Sequence, residues 1–266
     1  MAVHCTAYLS SVNGSSAYAN VTPLTDPYGA VESTELILPR DNHLLAAAIG
    51  GSGALRGRVQ SVGLSRIGYP QITPINGALT TATGITRVCD YSQRPPLVTA
   101  GEGVSVGIMN GGAASTLALL LFGYDLKAPP PGQSFWLRYS VTAGAAATAN
   151  TWSTYRETDA TPLTWETTPP SGTYAIIGMD HWGATAMAAR LILATYRYRP
   201  GTLARTSVTA AWNDPLFMDG RLGILGYFTN WQMPALEVLC TGADTAFEGM
   251  IRVIRIGGPE MLPSSR

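Results

Sequence analysis

The stretch Thr173–Pro200, TYAIIGMDHWGATAMAARLILATYRYRP, contains two apolar segments separated by small residues. The first runs over Tyr174–Ile177 and the second over Ala189–Leu193, with the pair Gly183-Ala184 between them. Short apolar runs bounded by glycine or proline are typical of buried strands. The stretch therefore predicts two strands joined by a turn.

A weaker copy of this pattern lies in the first half of the chain. The block Leu44–Pro70 matches Tyr174–Pro200, and the apolar block Thr116–Gly123 matches Gly249–Gly257. Both matches lie at an offset of roughly 130 residues, about half of the chain, and a fixed offset is the signature of an internal repeat. Two interpretations stay open: a tandem duplication, or two β-hairpins that look alike because apolar strands resemble one another.

The composition favours a protein that associates with copies of itself. The chain has 266 residues, of which 46% are hydrophobic and only 13% charged, with 17 basic and 17 acidic residues. Average soluble proteins carry about twice that charged fraction. A neutral, charge-poor surface promotes association, whereas a nucleic-acid-binding protein would carry a basic patch. We therefore expect self-assembly and no sequence-specific binding of nucleic acid.

The spacing of turn-forming residues along the chain predicts an all-β fold of two tandem antiparallel β-sandwiches. Apolar segments recur every 8 to 12 residues or so between turn signals, as in sandwiches and jelly rolls. Three consecutive prolines, Pro129–Pro131, cannot continue a strand or a helix and mark a boundary. We expect an N-terminal arm or edge segment over 1–30, a first β-sandwich over 31–127, a proline-rich linker over 128–134, a second β-sandwich over 135–258 and a loose tail over 259–266.

Two local patterns in the first half allow different structures. Arg56–Gly68 alternates in places, which predicts a strand with one solvated face. Leu44–Ile49 fits a short helix and a buried strand equally well, because periodicity cannot separate the two in a short apolar run.

The N-terminus and the cysteines indicate the cellular compartment in which the chain is expected to fold. The N-terminus lacks the basic and apolar segments of a signal peptide, and the longest apolar run, Leu117–Phe122, is far shorter than a membrane-spanning helix. The three cysteines, Cys5, Cys89 and Cys240, are widely spaced. We expect all three to be reduced. A disulfide bridge between Cys89 and Cys240 is the alternative that the sequence leaves open.

In architecture the chain resembles the double jelly-roll major capsid proteins of tailless, membrane-containing icosahedral bacteriophages. The paired blocks at 44–70 and 174–200, and at 116–123 and 249–257, carry the resemblance. It implies a structural subunit of the virion with no enzymatic activity and no cofactor, assembled in the host cytoplasm. Such subunits form homotrimers of pseudo-hexameric outline that tile an icosahedral shell, contact other virion proteins and face a lipid membrane on the inner side. The loops Thr80–Thr83 and Ala143–Asn150 would lie at the top or between subunits, and the arm over 1–30 would reach a neighbour.

Two other functions compete with this one. The first is a carbohydrate- or receptor-binding β-sandwich, such as a virion spike, which predicts exposed aromatic side chains around one pocket. The second is a β-sandwich hydrolase. Glu157, Asp159 and Glu166 form an acidic cluster near Trp152, Tyr155 and Trp165. These residues fit a glycan platform or a pair of glycosidase carboxylates, although loop charges beside core aromatics are the commoner arrangement.

The arginines and tyrosines of the opening stretch are the candidate interface residues: Arg190, Arg197, Arg199, Tyr196 and Tyr198. Alternation over 196–199 places both tyrosines on one face and both arginines on the other. The arginines could pair with carboxylates of a neighbouring subunit or with lipid phosphates.

Ligand-binding residues are few. The three histidines, His4, His43 and His181, have no metal-binding spacing. We expect His181, in the sequence Asp180-His181-Trp182, to lie in a loop. Calcium between subunits, held by Asp26, Asp41 or Asn42, stays open.

Overall fold

The computed structural model describes residues 2–10, 15–50, 54–72, 88–110, 116–141, 147–157, 163–194, 196–204, 220–243 and 246–258. Within these residues the chain is almost entirely β-strand, with one helix of four residues. In the same residues no helix is long and apolar enough to cross a membrane. Several predicted segments lie outside the described residues: the loop Thr80–Thr83, residues 143–146 of the loop Ala143–Asn150, Asp159 and the tail over 259–266.

The chain divides into two compact units. The first unit is His4–Tyr124, and the second is Asp125–Arg266 together with Met1–Val3. The division falls three residues before the proline-rich segment over 128–134.

The first unit contains eleven described strands and one helix. They are β1 (Ala2–Ser10), β2 (Ser15–Pro23), β3 (Ala30–Glu32), β4 (Glu35–Ile37), β5 (Asn42–Gly50), β6 (Ala54–Gln60), α1 (Val62–Ser65), β7 (Gln71–Ile72), β8 (Cys89–Asp90), β9 (Leu97–Val98), β10 (Gly103–Asn110) and β11 (Thr116–Tyr124). The pairing of β1 with β2 joins these strands into one eleven-stranded sheet. One layer of it has the order β1-β11-β5-β8, with β9 also on β5. The other has the order β2-β10-β6-β7, with the β3-β4 hairpin added to β10. Tyr8 of β1 donates a hydrogen bond of 2.9 Å to the carbonyl oxygen of Val104 in β10, which ties one layer to the other.

The second unit contains nine described strands in two sheets. They are β12 (Ser134–Val141), β13 (Trp152–Tyr155), β14 (Leu163–Trp165), β15 (Thr173–Gly183), β16 (Ala186–Ile192), β17 (Gly201–Leu203), β18 (Gly226–Thr229), β19 (Ala235–Cys240) and β20 (Phe247–Gly257). The five-stranded sheet has the order β14-β12-β20-β15-β18, and the four-stranded sheet has the order β13-β19-β16-β17. The ring of Tyr155 in β13 lies 5.4 Å from the ring of Phe247 in β20, so the sheets pack face to face around a shared core.

The two units have the same strand connectivity. Eight principal strands remain in each unit when the short strands β3, β4 and β9 of the first unit and β14 of the second are left out. When these eight are numbered along the chain, the two layers have the orders 1-8-3-6 and 2-7-4-5 in both units. This is the antiparallel arrangement of a jelly roll, in which the first strand pairs with the last. The predicted fold class, two tandem jelly-roll sandwiches, is therefore confirmed.

The matching sequence blocks occupy equivalent strands. Leu44–Pro70 begins in β5 and contains β6, the third and fourth principal strands of the first unit. Tyr174–Pro200 contains their counterparts β15 and β16, and the other two blocks lie in the eighth strands β11 and β20. The repeat in the sequence is thus also a repeat in topology.

The expected N-terminal arm or edge segment over 1–30 is largely β-strand. Residues 2–10 and 15–23 form β1 and β2, the first two principal strands of the first jelly roll, and β1 pairs with both β2 and β11. Val3, Cys5, Ala7 and Tyr8 are fully buried. The polar His4 and Thr6 are buried as well, so both faces of β1 are covered and its polar residues did not reveal a buried strand.

Two local expectations are also decided by the structure. Leu44–Ile49 is a strand, part of β5. The strand expected over Arg56–Gly68 stops at Gln60 and gives way to α1. The reason is a helix cap, because the Ser61 hydroxyl accepts a hydrogen bond of 3.2 Å from the backbone N–H of Leu64.

Candidate functional site

The outer face of the four-stranded sheet carries a row of polar side chains. Strand register places Thr154, Glu237 and Arg190 directly opposite one another across β13, β19 and β16. The neighbouring row contains Tyr155, whose ring packs on Phe247 in the core. Since successive residues of a strand point to opposite faces, the Glu237 row lies on the side away from the core.

This row contains a buried ion cluster. Nε of Arg190 lies 2.6 Å from Oε2 of Glu237, and the Arg190 side chain is only 1% exposed. The guanidinium of Arg199 pairs with the other oxygen of the same carboxylate. The Thr154 hydroxyl donates to that oxygen at 3.4 Å, and the Trp152 ring centroid lies 4.1 Å from Cζ of Arg190. Glu237 therefore holds two arginines of its own chain.

The cluster gives Arg190 partners within its own chain. Its guanidinium is buried against Glu237 and Trp152, and its role in an interface stays a prediction. Arg199 is partly exposed but pairs with the same Glu237. The sequence pattern could not reveal this, because Glu237 lies 47 residues from Arg190 along the chain.

The remaining interface candidates lie after β16. Tyr196 and Tyr198 contact each other, with ring centroids 4.8 Å apart, and Arg197 is exposed. Their role in an interface stays a prediction.

A cavity of about 470 Å³ opens beside this segment. Its wall residues come from the ends of β13, β16 and β19 and from the loops that follow β16 and β18. They include Arg156, Glu157, Ile192, Tyr196, Trp231 and Ala235. Ile192 and Ala235 pair in register, one row beyond Tyr155 and Leu236. The cavity therefore lies on the outer face, at the end of the sheet.

Trp231 at this cavity was not identified from the sequence. Its side chain is 61% exposed, although tryptophan is usually largely buried. The available signal was its position beside Asn230, in a turn between the apolar segments 222–228 and 236–240.

The acids predicted for a hydrolase have separate partners. Glu157 lines the cavity, whereas Glu166 pairs with Arg138 at 3.2 Å on an exposed surface of the five-stranded sheet. Trp165 packs against Tyr139, with ring centroids 5.1 Å apart. Tyr155 and Trp165 are core residues, which agrees with the interpretation of the acids as loop charges beside core aromatics.

His181 is not in a loop, which corrects the expectation. It lies in β15, fully buried, and its Nδ1 is 3.1 Å from the Tyr139 hydroxyl. The segment 173–183 is buried along its whole length, so a polar residue there is part of the core.

The candidate calcium ligands are engaged in backbone and side-chain contacts. Oδ1 of Asp26 accepts hydrogen bonds from the N–H groups of Tyr28 and Gly29, and Oδ2 lies 2.8 Å from Nε2 of the buried His4. Asp41 accepts a hydrogen bond of 2.8 Å from the N–H of Ala100. Among the described residues, no group of three or more His, Cys, Asp or Glu is placed to hold a metal ion. The three cysteines, all described, form no disulfide.

The first unit exposes apolar side chains around α1. Val62 is 78% exposed, Ile67 just after the helix is 64% exposed, and Leu97 in the adjacent β9 is 50% exposed. Leu64 is buried and anchors the helix to the core, while the Glu102 carboxylate accepts the N–H of Gly63. We call Val62, Ile67 and Leu97 the α1 patch. Large apolar side chains exposed close together on an anchored element are typical of association sites.

No protein-family model matches the sequence, and no curated protein matches it. Among solved structures, the chain is similar to the crystal structure of the major capsid protein P2 from bacteriophage PM2, with 11% sequence identity and a TM-score of 0.27. The match covers 96% of this chain and 100% of that chain. At this TM-score the similarity carries no weight for function, which rests on the chain's own residues.

Proposed function

We propose that this chain is a structural subunit of a bacteriophage capsid, which assembles as pseudo-hexameric homotrimers that tile an icosahedral shell. The observation that carries the proposal is the repetition of one jelly-roll topology twice in succession within a single chain. Jelly rolls occur in capsid proteins and in lectins, and fold alone does not decide between such functions. The duplication is what favours the shell.

A duplicated jelly roll suits a closed ring of subunits. Three chains with two jelly rolls each place six similar bodies around one axis, so a threefold assembly presents a nearly sixfold outline. Closed symmetry of this kind limits growth to a defined particle. It also covers sheet edges, which otherwise invite pairing with other chains.

The surface chemistry supports contacts between copies. The chain has a formal net charge of zero and few charged residues, so copies do not repel one another strongly. We assign the α1 patch to the contact with a second copy, because its exposed side chains are apolar and the short helix beneath them is held by the Ser61 cap and by Glu102. Burying such side chains against another copy removes apolar surface from water.

Other features of the proposal come from the capsid role itself. The subunit would be located in the virion after assembly in the host cytoplasm. It would contact other virion proteins, and its inner side would face a lipid membrane. Calcium between subunits belongs to the same proposal.

The test is the mass and shape of the purified chain. Size-exclusion chromatography with light scattering should give three times the 28.1 kDa chain mass. Electron microscopy of concentrated material should show closed shells or sheets of hexagonal outline. A monomer at every concentration tested, with no ordered particles, would contradict the proposal.

One observation favours the alternative function, a carbohydrate- or receptor-binding module. The exposed Trp231 lies at the cavity of the second unit, as that function predicts. A binding pocket and a shell role can coexist in one subunit, because the cavity and the α1 patch are made of different residues.

A further inference from the structure

The cavity beside Trp231 has the size of a small-ligand site. Its volume of about 470 Å³ lies within the range of roughly 300–1,000 Å³ that such pockets occupy. Its base includes the apolar side chains of Ile192 and Ala235, which pair across β16 and β19. The base therefore belongs to the sheet rather than to a loop.

The aromatic wall is held by backbone contacts. Trp231 lies in a two-residue turn closed by the bridge between Thr229 and Gln232, with a hydrogen bond of 3.0 Å from the Gln232 N–H to the Thr229 carbonyl. Asn230 exchanges two bonds with Gly172, since its Oδ1 accepts the Gly172 N–H at 3.0 Å and its N–H donates to the Gly172 carbonyl at 3.3 Å. The backbone on both sides of Trp231 is therefore held in place before any ligand arrives.

The second aromatic wall is also fixed. Tyr196 closes a turn through a hydrogen bond of 3.1 Å from its N–H to the Leu193 carbonyl, and its ring packs on Tyr198. A rigid aromatic side chain loses little conformational entropy when a ligand binds.

The polar groups of the cavity select for a neutral ligand. Arg156 and Glu157 bring one positive and one negative charge to the same wall, and Gln232 adds an amide. An anion would meet the Glu157 carboxylate, and a cation would meet the Arg156 guanidinium. A neutral polyol can instead accept from the guanidinium and donate to the carboxylate.

We propose that the cavity walled by Trp231 and Tyr196 binds a neutral saccharide. One face of a pyranose ring is lined by C–H groups and fits against the electron-rich face of an indole. Its hydroxyls then reach Arg156, Glu157 and Gln232. The cavity gives the chain a receptor- or glycan-recognition site that is separate from the α1 patch.

The test uses an array of neutral and sialylated oligosaccharides probed with the full-length chain and three variants. Wild type should bind one or more neutral hexose- or N-acetylhexosamine-containing glycans. Trp231→Ala should weaken that binding roughly tenfold or more, as expected for a central aromatic anchor, while Trp231→Phe should retain part of it. Trp136→Ala is the matched control, because Trp136 is an exposed tryptophan of the same unit on the five-stranded sheet.

The outcomes are separable from those of the capsid proposal. Trp231→Ala should keep the oligomeric mass and the thermal midpoint of wild type, since its side chain is exposed. No binding of wild type to any neutral glycan would overturn the saccharide site, as would equal binding by Trp231→Ala. Loss of self-association in Trp231→Ala would assign the cavity to a second copy of the chain and would also overturn it.

Discussion

The hydroxyl of Tyr139 in β12 lies 3.1 Å from Nδ1 of His181 in β15, although another strand runs between them. That strand is β20, and the residue in register with both is Gly249. The two side chains can meet only because Gly249 has no side chain of its own. Gly249 is thus a requirement of the core of the second jelly roll.

Gly249→Ala should destabilise the second unit. An added Cβ would overlap the Tyr139 hydroxyl and lie 2.7 Å from the backbone oxygen of Asp180, which cannot move away. Overpacking of this kind costs about 1–3 kcal/mol. Denaturant unfolding measures the loss. The matched control is Gly242→Ala, because the nearest atom to a Cβ there is Cγ2 of Thr185 at 3.9 Å. Equal stabilities of the two variants would contradict the steric reading.

Tyr139 should make the stability of the second unit fall at alkaline pH. Burial, and then the negative charge of Asp180, raise the pKa of the Tyr139 hydroxyl well above its ordinary value. In the unfolded chain this group loses its proton near pH 10, while in the folded chain it keeps it. Stability is therefore fully present below about pH 10 and declines above it by about 1.4 kcal/mol per pH unit.

Tyr139→Phe should reduce this alkaline slope, at a cost of about 1 kcal/mol at neutral pH for the lost hydrogen bond. Tyr174 and Tyr227, whose pKa values burial also raises, should contribute the remainder. Urea unfolding at a series of pH values from 8 to 11 measures both effects. Tyr18→Phe, which removes an exposed hydroxyl bonded to Gln71, serves as the control. An unchanged slope in Tyr139→Phe would show that other groups set the alkaline limit.

Glu237→Ala should be among the most damaging single changes in the four-stranded sheet. It leaves the buried Arg190 and its neighbour Arg199 without their shared carboxylate. Breaking a buried ion pair by removing one partner costs about 3–5 kcal/mol. Arg199→Ala should cost less, because Arg190 still neutralises Glu237.

Arg138→Ala is the control for a surface pair. It interacts with Glu166 and Glu248, but its side chain is about half exposed. Exposed pairs are screened by solvent and contribute little. If Arg138→Ala were as damaging as Glu237→Ala in thermal unfolding, burial would not be the deciding factor.

Glu102 should contribute to the acid sensitivity of the first unit. Burial by itself raises the pKa of this carboxyl, but hydrogen bonds from Gly63, Ser61 and Thr99 outweigh it and lower the pKa below the ordinary 4.5. Its contribution to stability is therefore present above pH 4.5 and is lost as the pH falls through the lower folded pKa.

Glu102→Gln should lower stability at neutral pH and flatten the decline below about pH 4.5. Unfolding midpoints measured between pH 3 and 7 test this, with Glu32→Gln, an exposed carboxylate on β3, for comparison. A decline as steep as that of wild type would exclude Glu102 as a source of the acid dependence.

Val62→Asp should weaken self-association and leave the chain folded. The side chain is 78% exposed, so the charge does not enter the core, but it would be buried against a second copy. Light scattering should show a shift toward lower mass. Val31→Asp makes the same change on β3, outside the α1 patch, and should keep the wild-type mass. Association equal to wild type in Val62→Asp would remove the α1 patch from the interface.

Some features of the site could not be predicted from the sequence, because they depend on residues that are far apart along the chain. Arg190 belongs to an apolar stretch, but the position of its guanidinium is set by Glu237 on another strand. Val62 and Ile67 of the α1 patch were predicted to lie in a strand, because the cap at Ser61 is one residue in an alternating pattern. Trp231 became a wall residue only when the end of the sheet brought three chain segments together.

The amino-acid sequence by itself determined that the chain is all-β, that turns divide it into short strands and that its two halves are alike. These properties depend on neighbouring residues: apolar runs, β-propensity and turn-forming glycine and proline. Only the tertiary structure decided which strands pair, which face of each strand is buried, and that residues 2–10 belong in a sheet. The reason is that a jelly roll pairs its first strand with its last, and such long-range register is set by closure of the whole core rather than by local sequence.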